Sequence, residues 1–119
     1  MSIRRIRTTG RMSAAVVHGS LVFLAGHVSA DREGGVHGQT QRVLARIDEV
    51  LAEAGTDKSR VLSAQVWLAD IATFDEMNAV WDAWVTPGHA PARATVEARL
   101  ASPDYLVEIS VVAALTSPR

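Results

Sequence analysis

The chain has 119 residues, a formal net charge of −1 and a sequence pI near 6.4. That is enough for one domain spanning 1–119 with a real core, too little for two, and without the basic excess that grips a polyanion. There is no cysteine, which excludes disulfides, thiolate nucleophiles and thiolate metal ligands.

At the N-terminus, Arg4-Arg5-Ile6-Arg7 reads as a solvated charged edge strand within Ile3 to Thr8 rather than as a nucleic-acid contact. No apolar run follows it that would serve as a signal peptide, and no segment approaches the ~20 apolar residues that span a bilayer. The expectation is a cytoplasmic protein with neither membrane nor nucleic-acid partner. Next, Ala14–His18 and Leu21–Gly26 flank Gly19-Ser20 as a tight hairpin. Asp31 to Gly38 reads as a loop. The helix after it sets Val43, Ile47, Val50, Leu51 and Ala54 on one stripe and stops at Gly55. Val61 to Leu68 is a further strand, with one polar-tolerant face through Ser63, Gln65 and Trp67. A second helix starts at Thr73-Phe74-Asp75-Glu76, where Thr73 and Glu76 have capping-box spacing. Phe74, Met77, Val80, Trp81 and Trp84 form its inward stripe, and Pro87-Gly88 ends it.

Two strands, 92–97 and 105–113, close the chain around Ser102-Pro103-Asp104, and the spacing predicts an antiparallel hairpin. The order β-β-α-β-α-β-β then describes an α+β fold, one sheet of five or six strands with two helices on one face. Strands 21–26 and 105–115 are apolar in both directions, so the uncovered sheet face predicts self-association.

Two charges interrupt the last two strands. Burying Arg93 or Glu108 costs several kcal/mol unless something replaces the lost hydration. Each is therefore a structural ion-pair partner or part of a site for a small charged molecule. Opposite one another in a hairpin, they would share one pocket, the guanidinium for a carboxylate and the glutamate for proton transfer. A one-residue slip would put them on opposite faces. Burial raises the pKa of Glu108 and a nearby Arg93 lowers it, and sequence does not rank the two effects.

Pro91-Ala92-Arg93 with Val107-Glu108-Ile109, together with Gly10–Ala15, Leu24–His27 and Met77–Val80, resembles the Rid family, also called YjgF, over nearly the whole length. The resemblance implies a chorismate-mutase-like fold and a homotrimer with pockets between subunits. It also implies hydrolysis of reactive 2-imino acids, or their enamine tautomers, to 2-keto acids and ammonia, with no cofactor. Arg93 matches the residue that holds the substrate carboxylate, and Glu108 the acid that positions water and relays protons. Asn78 matches a position near the pocket, with a plain helix-surface hydrogen bond as the other reading; Gly26 and Thr95 line the site through backbone groups. Met12 stands where many members have tyrosine and Ala25 where a hydroxyl is common. Either activity on the smallest substrates is weak, or the pocket is wider and more apolar and prefers side chains larger than alanine's, and the second reading is preferred because Arg93 and Glu108 are both retained. His27 stands where glutamine is common, as a structural hydrogen bond at a strand end or a pocket polar group.

The four histidines lack metal-ligand spacing, and Gly34–Gly38 is not a phosphate loop. Some members have been called ribonucleases or translation inhibitors, which the balanced charge supports little. The competing reading from another class is a regulatory or protective protein that holds a carboxylate on Arg93 without turning it over.

Overall fold

Alternation of apolar and polar residues decides most of the architecture. The computed structural model, described over residues 1–116, has the order β1 (Ile3–Ile6), β2 (Ala15–His18), β3 (Leu21–Leu24), α1 (Gly35–Ala54), β4 (Val61–Leu68), α2 (Phe74–Trp84), β5 (Ala92–Glu97) and β6 (Val107–Ala114). The six strands form one mixed sheet in the order β1-β2-β3-β6-β4-β5.

Along β6, Val107, Ile109, Val111 and Ala113 are buried and the residues between them are half-exposed. The buried set joins Ala64, Val66 and Leu68 of β4, Val22 and Leu24 of β3, and the apolar stripes of both helices in one core. Both helices therefore cover the same face, as expected. Complete burial of Ile47, Leu51, Leu68 and Ile109 contributes roughly 1.5–3 kcal/mol for each side chain. The other face is open and mixed in character, with Phe23 and Val96 both 44% exposed beside Ser63, Gln65 and Ser110.

Several expectations are corrected. Helix α1 begins at Gly35, so Gly35–Gly38 belong to the helix rather than the loop; Val36 is drawn into the core. Gly55 does end it, at φ 94°, a backbone conformation in which a side chain is strained. The capping box at Thr73 does not form. Asp70 caps the short turn before α2 by accepting from the Ala72 amide, while Glu76 reaches across to accept from the His37 amide of α1 at 3.1 Å. A carboxylate thus meets the uncapped, positive end of α1. The charged edge strand is solvated as expected, with Arg4, Arg5 and Arg7 exposed. Arg4 donates to the Ala54 carbonyl at the C-terminus of α1, and Arg7, just past β1, pairs with Glu53 at 2.7 Å.

The largest correction concerns β5 and β6. Strand β5 runs parallel to β4, and β4 lies between β5 and β6, so the two are not a hairpin. The physical reason is the helix: β4, α2 and β5 make a crossover unit, and a strand returning after a helix on one face runs parallel to the strand before it. Residues 98–106 then pass over the end of β4 to reach β6. A fully buried amide anchors this connection, with Gln39 of α1 donating to the Asp104 carbonyl (2.7 Å) and accepting from the Leu106 amide (2.8 Å).

Candidate active site

Arg93 is delivered by the edge strand β5. Its parallel partner in β4 is Ala64, a core residue, so the side chain leaves the sheet on the helix-covered face. There it meets α2. One guanidinium nitrogen, Nη1, donates to Asn78 Oδ1 at 2.7 Å, and the group lies 5.1 Å from the Trp81 ring centre and 5.7 Å from that of Phe74. Cation–π contacts of this kind stabilise a charge that has lost part of its water. Among the described residues no carboxylate comes within ion-pair distance of it. Burial lowers its pKa, opposed by the more distant charge of Asp82. The result is a positioned cation whose Nη1 has two neutral partners, Asn78 Oδ1 and, weakly, Met77 Sδ at 3.9 Å, with its other N–H groups still free, a fork suited to a planar carboxylate.

Glu108 occupies the opposite face. It pairs across β4 with Trp67, and both belong to the half-exposed set that alternates with the core. On its other side the chain closes in at Gly26, where an added Cβ would lie 2.9 Å from the Glu108 carboxyl carbon and nearer still to its oxygen. Only glycine leaves room for the carboxylate in that position. Burial alone raises its pKa, with no partner charge opposing it. The competition left open in the sequence is thus decided for burial, because Arg93 faces the other way.

Within one chain, then, Arg93 and Glu108 do not share a pocket. Parallel pairing of β5 puts Arg93 in line with Ala64 and Val111, while Glu108 aligns with Trp67 and Val96 on the other side. The sheet separates the two groups.

The remaining expected residues divide between the same two places. Asn78 sits with the cation and accepts from its guanidinium. Thr95, two residues along β5 from Arg93, also faces the helices, and its buried hydroxyl has no hydrogen-bond partner. Gly26 belongs with Glu108. Met12 is 52% exposed on the loop before β2 and lines a groove of about 330 Å³ with Gly26, His27, Val28 and Arg46. Ala25 donates its amide to the Ala14 carbonyl. His27 is 7% exposed and its backbone pairs with Ile109. Its ring Nε2 is buried without a partner. Burial lowers its pKa, the Ala14 backbone opposes this, and the charges of Arg46 and Arg7 add to it. That favours the structural reading over the pocket one.

Sequence reasoning missed three residues. Trp81 packs in the core as expected and also flanks the guanidinium, whereas Phe74, expected in the core, is 37% exposed beside it; the placement of both on the helix leading into β5 was the available signal. Trp67 was read as part of a polar-tolerant face, and only the true strand order makes it the neighbour of Glu108.

The fold is an α+β sheet covered on one side, with an arginine that has no carboxylate partner at its edge and a desolvated glutamate on its bare face. Comparison with known proteins makes this specific. The family described as endoribonuclease L-PSP matches residues 2–115. A RutC family protein of Haemophilus ducreyi is 47% identical over 113 residues, 95% of this chain and 97% of that protein. The crystal structure of a YjgF-family member from Neisseria meningitidis superposes with a TM-score of 0.93 at 50% identity, covering 98% of both chains. At greater distance, a chloroplastic protein named Reactive Intermediate Deaminase A from Arabidopsis thaliana is 32% identical over 112 residues, 89% of this chain and 59% of that protein. The chain belongs to the YjgF/Rid family.

Proposed function

We propose that this protein hydrolyses 2-imino acids, or their enamine tautomers, to 2-keto acids and ammonia. The observation that carries the reading is the unpaired, partly desolvated Arg93, held in place by Asn78, Trp81 and Phe74 with free N–H groups. The Arabidopsis relative's name points to the same chemistry. Because Arg93 and Glu108 lie on opposite faces of the sheet, the site is completed between copies of the chain, one supplying the cation and the next the acid. The open face, with Phe23 and Val96 each 44% exposed, supplies the surface for that contact, and a closed ring of three copies is the assembly proposed.

In such a site Arg93 holds the substrate carboxylate. Glu108 as carboxylate accepts a proton from water while the water oxygen bonds to the imine carbon and the C=N π pair moves to nitrogen. The carboxylic acid so formed then returns the proton to nitrogen. As the C–N bond breaks toward nitrogen, the Glu108 carboxylate takes the hydroxyl proton and passes it to the leaving nitrogen while C=O forms, giving keto acid and ammonia. A raised Glu108 pKa suits both halves, since a group titrating nearer neutrality gives and takes protons more readily. Asn78 and the two aromatic rings orient the guanidinium and touch no reacting atom.

The test is direct. An amino-acid oxidase generates the imine in situ, semicarbazide traps it, and the protein should lower adduct formation and accelerate keto-acid release. No effect across small, aliphatic, aromatic and basic imino acids rejects hydrolysis. The separation of Arg93 from Glu108 within a chain favours one second reading, a protein that holds carboxylates without turnover. Saturable keto-acid binding that depends on Arg93, with no effect in the trap assay, would establish it.

A further inference from the structure

We infer that Trp67 selects the substrate side chain, and that the site takes imino acids with a flat apolar substituent, aromatic ones above all. The inference rests on the hydrolytic reading of the Glu108 site and goes beyond it in naming a residue and a substrate class.

Three observations on the open face carry it. The pairings of β4 place Trp67 directly between Glu108 of β6 and Val96 of β5, all three on the uncovered side. Directly opposed strand residues have Cβ atoms about 5 Å apart, so the indole borders the carboxylate. On the other flank of Glu108 stands Gly26, which has no side chain at all. The acid therefore has bare backbone on one side and a continuous indole-to-isopropyl floor on the other. A reacting carbon placed over the carboxylate near Gly26 sends its substituent across that floor. Finally, Met12, which lines the groove beside Gly26, presents an apolar thioether there.

Trp67 is not a core residue displaced outward. Its neighbours Val66 and Leu68 are fully buried under the helices, whereas Trp67 is half-exposed on the other face. A large aromatic surface there gains most when another flat apolar group covers it.

The experiment compares kcat/KM for imines made from phenylalanine, leucine and alanine, using wild type, Trp67→Phe, Trp67→Leu and Trp67→Ala. Wild type should favour the phenylalanine-derived imine. Trp67→Leu and Trp67→Ala should each reduce the aromatic-to-alanine ratio about tenfold, and Trp67→Phe by less than about threefold. Calorimetry supplies a readout independent of turnover: Trp67→Leu should weaken phenylpyruvate binding and leave pyruvate binding unchanged. Equal losses for all substrates, an unchanged ratio, or a wild type that prefers the alanine-derived imine overturns the inference while leaving hydrolysis intact. A change in assembly size with the ratio unaltered also overturns it, assigning Trp67 to subunit contact. Absence of turnover on every imine refutes the hydrolytic reading, and phenylpyruvate binding that ignores Trp67 then refutes this one separately.

Discussion

Placement of Arg93 and Glu108 on opposite faces of one sheet allows a subunit-mixing experiment with a numerical outcome. On the proposed roles, Arg93→Ala and Glu108→Gln should each be inactive alone, the first without a carboxylate grip, the second without a proton carrier. Co-expressed in equal amounts, the two chains assort at random within a closed assembly. A site that takes its arginine from one chain and its glutamate from the next is intact with probability one half times one half, so about a quarter of sites have both groups. The mixture should recover about 25% of wild-type kcat per site, with KM unchanged because intact sites are unaltered. Keto-acid release from in situ imines measures it on the whole mixture; purifying differently tagged chains in sequence, so that only mixed three-chain rings are assayed, should raise the figure to about a third. Activity at the level of the separate variants would refute the divided site. A site contained within one chain predicts that null result, since every chain in the mixture lacks one group.

Gly26→Ala should fold, because Gly26 does not have a positive φ. Its Cβ forces the Glu108 carboxyl carbon from 2.9 Å toward the 3.4 Å of ordinary contact. Displacing a reacting group by about 1 Å costs on the order of 100-fold in kcat, with keto-acid affinity retained; a change under twofold would remove Glu108 from the chemistry. Asn78→Asp puts a carboxylate where Arg93 now meets a neutral oxygen at 2.7 Å. The internal anion should compete with substrate, raising KM by roughly tenfold without loss of thermal stability; an unchanged KM would show that Arg93 does not bind the substrate carboxylate. His27 has its pKa held below 6.5, chiefly by burial, so the folded protein binds fewer protons than the unfolded chain between that lowered value and 6.5. Stability present above 6.5 should therefore fall as pH drops through this window, and thermal midpoints of His27→Gln should lose that slope. An identical slope in the variant would assign the acid sensitivity elsewhere.

Much of the architecture was legible because local signals agreed with tertiary demands. Gly19-Ser20 turned where expected, Val61–Leu68 had the predicted bounds, and the stripes of both helices entered the core apart from Phe74, which is 37% exposed. Ser102-Pro103-Asp104 misled because a turn-rich segment looks the same whether it joins neighbouring strands or carries the chain over one. The order strand, helix, strand over 61–97 held the corrective signal, since such a unit makes β5 parallel to β4. Glu76 misled for a related reason: its spacing from Thr73 is local, but its partner, the His37 amide, lies in the other helix. At the site, residue identity was readable and sidedness was not, because facing follows from strand order, which one sequence encodes only through long-range packing.

The Gln39 amide works as a two-pronged clasp across the sheet. Its oxygen and nitrogen are both engaged, by the Leu106 amide and the Asp104 carbonyl, so it has one usable orientation and tolerates no charge. Leu106 lies two residues before Glu108, and the clasp is thus what indexes the carboxylate proposed to transfer protons against a helix on the far side of the sheet. Alterations packed deep under α1 will consequently surface as changed acidity and turnover at a carboxylate that no residue of that helix touches.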